Sequence, residues 1–254
     1  MHILVTNDDG VQAPGLLALA QELRKLGKVT VFAPDRNWSA SGHVKTMDRP
    51  LRAREVTLTD GTTALATDGA PSDSVALALL GVVKEKIDLV VSGINPHENI
   101  GHDVTYSGTV TAAMEAVIGG VPGIAISLNS PEEFLGVLDY EFAASVARRV
   151  AGKVMAEGLP EGVLLNVNVP YLKEDQAKGF MITRQGLRVY RDKLDARKDP
   201  RGKPYYWIGG EFPIGILEEG TDYGAIKAGY VSITPLQLDL TARAAMDVLK
   251  KWKW

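Results

Sequence analysis

The chain contains no cysteine in its 254 residues. That absence excludes disulfide staples, thiolate zinc sites and cysteine nucleophiles together. Long apolar runs are missing too, since no stretch approaches the roughly 18 residues that a membrane-spanning helix needs. The start, Met1-His2-Ile3-Leu4-Val5, turns polar at once and lacks the charged n-region and extended apolar core of a signal peptide. An excess of positive charge is also lacking. There are 28 Lys and Arg against 31 Asp and Glu, a formal net charge of -3, which argues against binding nucleic-acid polymers through a basic surface. These absences set the expectation of a cytoplasmic protein with no membrane association.

What remains is ordinary globular material, 45% hydrophobic and 23% charged, long enough for one large α/β domain. Short β-rich apolar runs alternate with helical patterns through the first two-thirds. His2–Thr6 reads as a strand, and the helix after it runs to about Leu26, with Leu16, Leu19, Leu23 and Leu26 at spacings of three and four. Val29–Ala33 reads as the second strand. Thr46–Ala53 and Glu55–Thr59 read as a small hairpin region around the Asp60-Gly61 turn. Helices are predicted over Pro71–Lys86, Thr109–Ile118 and Glu132–Glu157, and strands over Ile87–Val91, Gly123–Leu128 and Val163–Val169. This alternation implies a Rossmann-like, doubly wound, mostly parallel sheet with helices on both faces. From Tyr171 the pattern changes. Phe180–Arg191 reads as a β ribbon, charged Asp192–Tyr206 as a projecting arm or exposed loop, and Thr234-Pro235-Leu236 as the entry to a last helix, Leu240–Trp254. Residues 1–254 are therefore read as one domain, with a C-terminal extension inside 171–254.

In a doubly wound sheet, ligands bind outside the carboxyl ends of the strands, and polar clusters fall at such ends. Asn7-Asp8-Asp9-Gly10 follows the first strand. Adjacent carboxylates repel, so a cation that neutralises them is one reading and an Asx-type cap on the next helix is the other. The loop after the second strand holds Ser39-Ala40-Ser41-Gly42-His43, where Ser39 offers a hydroxyl. Ser92-Gly93-Ile94-Asn95 follows the strand ending at Val91 and adds an amide oxygen. Asp8, Asp9, Ser39 and Asn95 would form an all-oxygen site, which favours Mg²⁺ or Mn²⁺ over zinc. Ser107-Gly108-Thr109 opens a helix whose first-turn N–H groups suit a phosphate, although simple capping accounts for it equally well. His43 reads either as a phosphate or leaving-group contact or as a loop histidine bonded to backbone. His97 and His102 read as surface or supporting residues, and Arg-rich Arg191–Arg201 as a solvated face or, more sharply, a contact with a partner chain.

Taken together, Asn7–Gly10, Ser39–His43, Ser92–Asn95 and Asp103-Val104-x-Tyr106-Ser107-Gly108-Thr109-Val110 resemble the signature blocks of the SurE family of 5'/3'-nucleotidases. Thr67–Asp73, Leu165-Asn166-Val167-Asn168-Val169-Pro170 and Gly229–Leu236 agree in order and spacing. The resemblance implies a phosphoric monoester hydrolase, acid-phosphatase-like, acting on nucleoside 5'- and 3'-monophosphates with one divalent cation per subunit. It assigns Asp8, Asp9, Ser39 and Asn95 to that cation, and Asn99, Ser107, Gly108 and Thr109 to the phosphate. It also implies a homodimer or homotetramer in which subunits exchange the extension. Where the family usually has glycine two residues beyond the Asn95 position, this chain has Pro96-His97-Glu98, which bears on the shape of the nucleoside pocket.

The chemistry expected is in-line attack of water on phosphorus, with Asp8 and Asp9 as the catalytic carboxylates. Asp8 takes or orients the proton of the water, or instead acts as the nucleophile. Two other classes compete. A nucleotide-binding module would have no need of the Asp8–Asp9 pair, and a Rossmann dehydrogenase would need Gly-x-Gly-x-x-Gly where Asn7–Pro14 stands.

Overall fold

The run His2–Thr6 forms strand β1, buried along its whole length, and the rest of the chain winds outward from it. In this computed structural model, which describes residues 1–131 and 134–253, the elements alternate as follows. After β1 come α1 (Pro14–Leu23), β2 (Lys28–Pro34), β3 (Ala53–Thr57), β4 (Thr63–Thr67), α2 (Pro71–Leu77), β5 (Leu89–Asn95) and α3 (Gly108–Ile118). Then follow β6 (Gly123–Asn129), α4 (Glu141–Glu157), β7 (Val163–Pro170), β8 (Phe180–Ile182), β9 (Arg188–Lys198), β10 (Pro204–Gly215), α5 (Asp222–Lys227), β11 (Val231–Gln237) and α6 (Arg243–Leu249).

The main sheet has nine strands in the order β3-β4-β2-β1-β5-β6-β7-β11-β8. Neighbours from β4 through β7 run parallel, while β3 and β11 pair antiparallel to β4 and β7. Period-2 alternation sorts the core. Ile3, Val5, Leu89, Val91, Ile124 and Ile126 face α1 and α4, meeting Leu16, Leu19, Leu23, Val146 and Val150. Leu4, Phe32 and Val90 face the other way, toward Val75 of α2 and Ala112 and Ala116 of α3. Each fully buried leucine in these layers contributes about 1.5–3 kcal/mol. The doubly wound architecture read from the sequence is the one present, and chain order reverses between β1 and β5. That reversal opens a crevice at their carboxyl ends.

Several boundaries differ from the sequence reading. The hairpin is made by Ala53–Thr57 with Thr63–Thr67, so Thr46–Ala53 is not a strand. Thr46 is instead tied to Asp73, whose carboxylate accepts its N–H at 2.9 Å and its hydroxyl at 2.7 Å. The helix expected to reach Lys86 stops at Leu77 and widens into a π turn through Val82, where Gly81 adopts φ 111°. Helix α4 begins at Glu141, whose N–H bonds the Asp139 carboxylate at 2.8 Å, and the expected start at Glu132 lies outside the described residues. Of the two readings of the charged stretch, an exposed loop fails and an arm fits better, since β9 pairs with β10 from Arg188 to Gly215 in a ribbon of its own. A two-stranded ribbon wet on both faces carries no apolar periodicity to read. Pro235 leads into no helix but sits inside β11, opposite Leu165 of β7. It is tolerated there because β8 covers only Val231–Ile233 on the other side, leaving the missing N–H on an open edge. The last helix is accordingly shorter, and Trp254 lies outside the described residues.

Candidate active site

Asp8 leaves the end of β1 and is 4% exposed. Two neighbouring segments hold it, the loop after β2 and the first turn of α3. The Trp38 N–H donates to its main-chain carbonyl at 2.7 Å, bringing the Ser39 loop alongside. The Thr109 hydroxyl donates to Oδ1 at 2.5 Å. Gly108 packs so close that a Cβ there would lie 2.6 Å from the Asp8 Cβ. Burial pushes the Asp8 carboxyl up from its ordinary value, against the lowering effect of the Thr109 hydroxyl and the N–H groups of Thr109 and Gly108. Asp9 is pushed up to about 7 by burial and by the charge of Asp8. Beside it lies Tyr140, itself raised to about 12 by burial and by Asp9. A buried and a half-buried carboxyl that repel each other could both ionise more easily beside a cation.

The Asn7–Gly10 turn closes on itself. The Asn7 side chain donates to the Gly10 carbonyl at 3.0 Å and accepts the Gly10 N–H at 3.2 Å. It does not cap α1, whose N-cap is Ala13 with Pro14 following, so the capping reading of Asp8 and Asp9 fails.

Asn95 reaches the same crevice from β5. Ser92 pairs with Ala125 and Asn95 with Ser127, so one extra residue bulges between them and re-aims the strand end. Gly93 makes this possible, because a Cβ there would meet the Ile126 carbonyl oxygen at 2.3 Å and its φ is 138°. The Asn95 amide nitrogen donates to the His97 carbonyl at 2.6 Å, which leaves the amide oxygen as its free end. Ser39 is exposed, and its N–H is fixed by Asn37 Oδ1 at 2.7 Å. Asp8, Asp9, Ser39 and Asn95 would offer a metal two carboxylates, a hydroxyl and an amide oxygen. Among the described residues no group of three or more His, Asp or Glu gathers as a metal site. All-oxygen donors with few charges suit Mg²⁺ or Mn²⁺ and not zinc.

The Ser107 side chain accepts the Val110 N–H at 3.1 Å, capping α3. The N–H groups of Gly108 and Thr109 face the Asp8 carboxylate, so the first turn binds an anionic group belonging to the chain itself. Among the described residues His43 is held by a side chain and not by backbone. Its Nε2 lies 2.9 Å from Glu115 Oε2, and Lys45 donates to the other oxygen at 2.9 Å. Glu115, nearly buried on α3, is held below its usual value first by the His43 hydrogen bond. His97 touches Ser130 at 3.4 Å, and His102 is exposed. Glu98 accepts from Asn129 at 2.7 Å and pairs with Arg188 at 3.4 Å, so Pro96-His97-Glu98 follows a path fixed by side chains.

Asn99 is buried at the rim of this crevice, its amide nitrogen donating to Ser127 Oγ at 2.8 Å. Sequence reasoning assigned no site role to Glu115, Ser127, Asn166 or Asn168. The signal available was the Asn-Val-Asn alternation in an otherwise apolar strand.

These features define a Rossmann-like α/β protein with paired carboxylates at its switch point, facing a glycine-opened helix N-terminus. The sequence model of the survival protein SurE family matches residues 3–192, and the chain belongs to that family. It is 52% identical over 254 residues to a 5'-nucleotidase SurE of Chloroflexus aggregans, covering 100% of both chains. It is 54% identical to a 5'-nucleotidase SurE of Herpetosiphon aurantiacus, over 95% of this chain and 94% of that one. The crystal structure of the SurE protein from Aquifex aeolicus superposes with a TM-score of 0.83 at 44% identity, covering 98% of each chain.

Proposed function

We propose that this chain is a divalent-metal-dependent phosphomonoesterase that hydrolyses nucleoside 5'- and 3'-monophosphates to nucleoside and phosphate. The observation that carries the reading is the buried Asp8 carboxylate, set beside Asp9 at the β1/β5 switch point and against the first turn of α3. The relatives named 5'-nucleotidase supply the nucleotide. A cavity of about 560 Å³ at the ends of β6 and β7, lined by Glu98, Asn129, Pro170, Ile214 and Tyr223, begins one residue from Asn99 and has room for a nucleoside. A larger hollow of about 1100 Å³ lies against α1 and α4 and meets the site only at Tyr140, so it is the weaker candidate.

Asp8, Asp9, Ser39 and Asn95 would hold the cation. When bound, Mg²⁺ or Mn²⁺ would offset the carboxylate and phosphate charge and make water a better nucleophile. Asp8, oriented by the Thr109 hydroxyl, takes a proton from water as its oxygen attacks phosphorus in line, and the ester P–O bond breaks with the departing nucleoside oxygen taking up a proton from solvent. Asn99, the Ser107 hydroxyl and His43, oriented by Glu115, supply donors to the phosphoryl oxygens, while the Gly108 and Thr109 N–H groups hold Asp8 in place. The ribbon β9–β10 and α6 would join subunits into a dimer or tetramer, and the cytoplasm is the proposed location. No helix among the described residues is long and apolar enough to cross a membrane.

The test is a substrate panel with Mn²⁺. Nucleoside 5'- and 3'-monophosphates should be cleaved at higher kcat/KM than sugar phosphates of similar size. Failure to release phosphate from any nucleoside monophosphate overturns the proposal.

A further inference from the structure

The segment Pro96–Ile100 belongs to no strand or helix, so the peptide groups of Asn99 have no regular backbone partner. Every backbone group buried this way must be paired somewhere. Here the partners are side chains from β7. Asn168 Oδ1 accepts the Asn99 N–H at 2.8 Å, and Asn168 Nδ2 donates to the Asn99 carbonyl at 3.0 Å. Asn166 Nδ2 donates to the same carbonyl at 2.7 Å. From β6, Ser127 holds the Asn99 side chain. One residue in an irregular segment is thus gripped at its N–H, its C=O and its side chain by three others, all 0% exposed.

The sheet register explains how they converge. Ser127 pairs with Asn168 across β6 and β7, and Asn166 stands two residues before it, so all three project from the same face. Asparagine is a poor strand residue, and a buried amide is costly unless bonded. Asn166 keeps an unpartnered Oδ1 among the described residues, which a residue retained for packing alone would not need. The arrangement makes sense if the position of Asn99 is what these residues serve.

We infer that Asn166, Asn168 and Ser127 form a clamp that positions Asn99 for the substrate phosphate. This rests on the proposed reading of Asn99 as a phosphate contact. Asn166, Asn168 and Ser127 are positioning residues; they act through Asn99 and not on the substrate. Misplacing a contact by about 1 Å can cost on the order of 100-fold in rate, so loss of the clamp should approach the loss of Asn99 itself.

The experiment is a double-mutant cycle on the full-length protein, read by kcat/KM for a nucleoside monophosphate with Mn²⁺ and by competitive inhibition with inorganic phosphate. All assays run at a temperature where circular dichroism shows each variant folded. Asn99→Ala and Asn168→Ala should each lower kcat/KM by roughly ten- to a hundredfold and weaken phosphate inhibition. The double variant should be no worse than Asn99→Ala alone, because both remove the same contact. The melting shift caused by Mn²⁺ should stay as in the wild type. If Asn168→Ala does not fold, Ser127→Ala takes its place, since it frees only the Asn99 side chain. Additive losses, or a clamp variant with wild-type phosphate inhibition beside an impaired Asn99→Ala, overturn the clamp. An Asn99→Ala variant indistinguishable from wild type overturns the reading of Asn99, and the clamp with it.

Discussion

Replacing Gly108 with alanine tests the geometry at the centre of the site. The added Cβ would lie 2.6 Å from the Asp8 Cβ and 2.9 Å from its Oδ2, whereas carbon atoms in ordinary contact sit about 3.5–4.0 Å apart. Either Asp8 or the first turn of α3 must yield by about 1 Å. Gly108 is not among the positive-φ glycines, so backbone strain adds nothing and the whole effect falls on that contact. Overpacking of this kind costs about 1–3 kcal/mol, offset by up to about 1 kcal/mol from the better helix propensity of alanine. The fold should therefore survive with a modestly lowered Tm. Activity should not. A 1 Å displacement of a catalytic carboxylate is worth on the order of 100-fold, so phosphate release from a nucleoside 5'-monophosphate at saturating Mn²⁺ should fall by about that factor. An alanine variant with wild-type kcat/KM would refute the claim that Asp8 must rest against this helix end.

Asp8→Asn should fold normally, melt no lower than wild type without metal because the repulsion with Asp9 is relieved, and lose about 10²–10⁴-fold in turnover. Paired melts and rates at saturating Mn²⁺ check it, and near-wild-type turnover would remove the proton-accepting role. Asp9 sets a pH dependence. Its folded value, about 7, lies above the ordinary carboxyl value of 3.8, so the native metal-free protein binds the proton more tightly than the unfolded chain. Stability from this group is present at low pH and lost as pH rises from about 4 to 7. The Tm difference between wild type and Asp9→Asn in EDTA should grow more unfavourable to wild type over that window, and a flat difference would contradict it. The ribbon presents Leu194 and its cross-strand partner Ile208 on one face and Trp207 on the other, at 70%, 85% and 63% exposure, apolar surface that calls for a partner. Sedimentation should show a dimer or tetramer, and a fully active monomer at micromolar concentration would contradict the assembly.

Much of this arrangement was legible in the residues. The parallel core could be read because strands buried on both faces are continuous apolar runs, as in Ile87–Val91, and helix α3 because Ser107-Gly108-Thr109 announces its start. The placement of Asp8, Asp9 and Asn95 at the carboxyl ends of β1 and β5 could be read because strand ends in this topology point one way. The rest failed for local reasons. Pro235 sits in a strand because its missing N–H meets no neighbour, a fact of sheet order and not of sequence. The ribbon β9–β10 has no buried face, so period 2 leaves no trace in it. Glu115, which holds His43, and Asn168, which holds Asn99, reach their partners from 72 and 69 residues away. No local pattern could have joined those pairs.

Asp8, Asp9, Ser39 and Asn95 are proposed to work with a divalent cation. The most direct measurement is phosphate release from a nucleoside 5'-monophosphate by protein stripped with EDTA and dialysed, before and after graded addition of Mg²⁺ or Mn²⁺. The stripped protein should release no phosphate, and added metal should restore release saturably. Recovery should be abolished in Asp8→Asn/Asp9→Asn, with the fold intact by circular dichroism. Full turnover by stripped protein, indifferent to added metal, would contradict the proposed metal dependence.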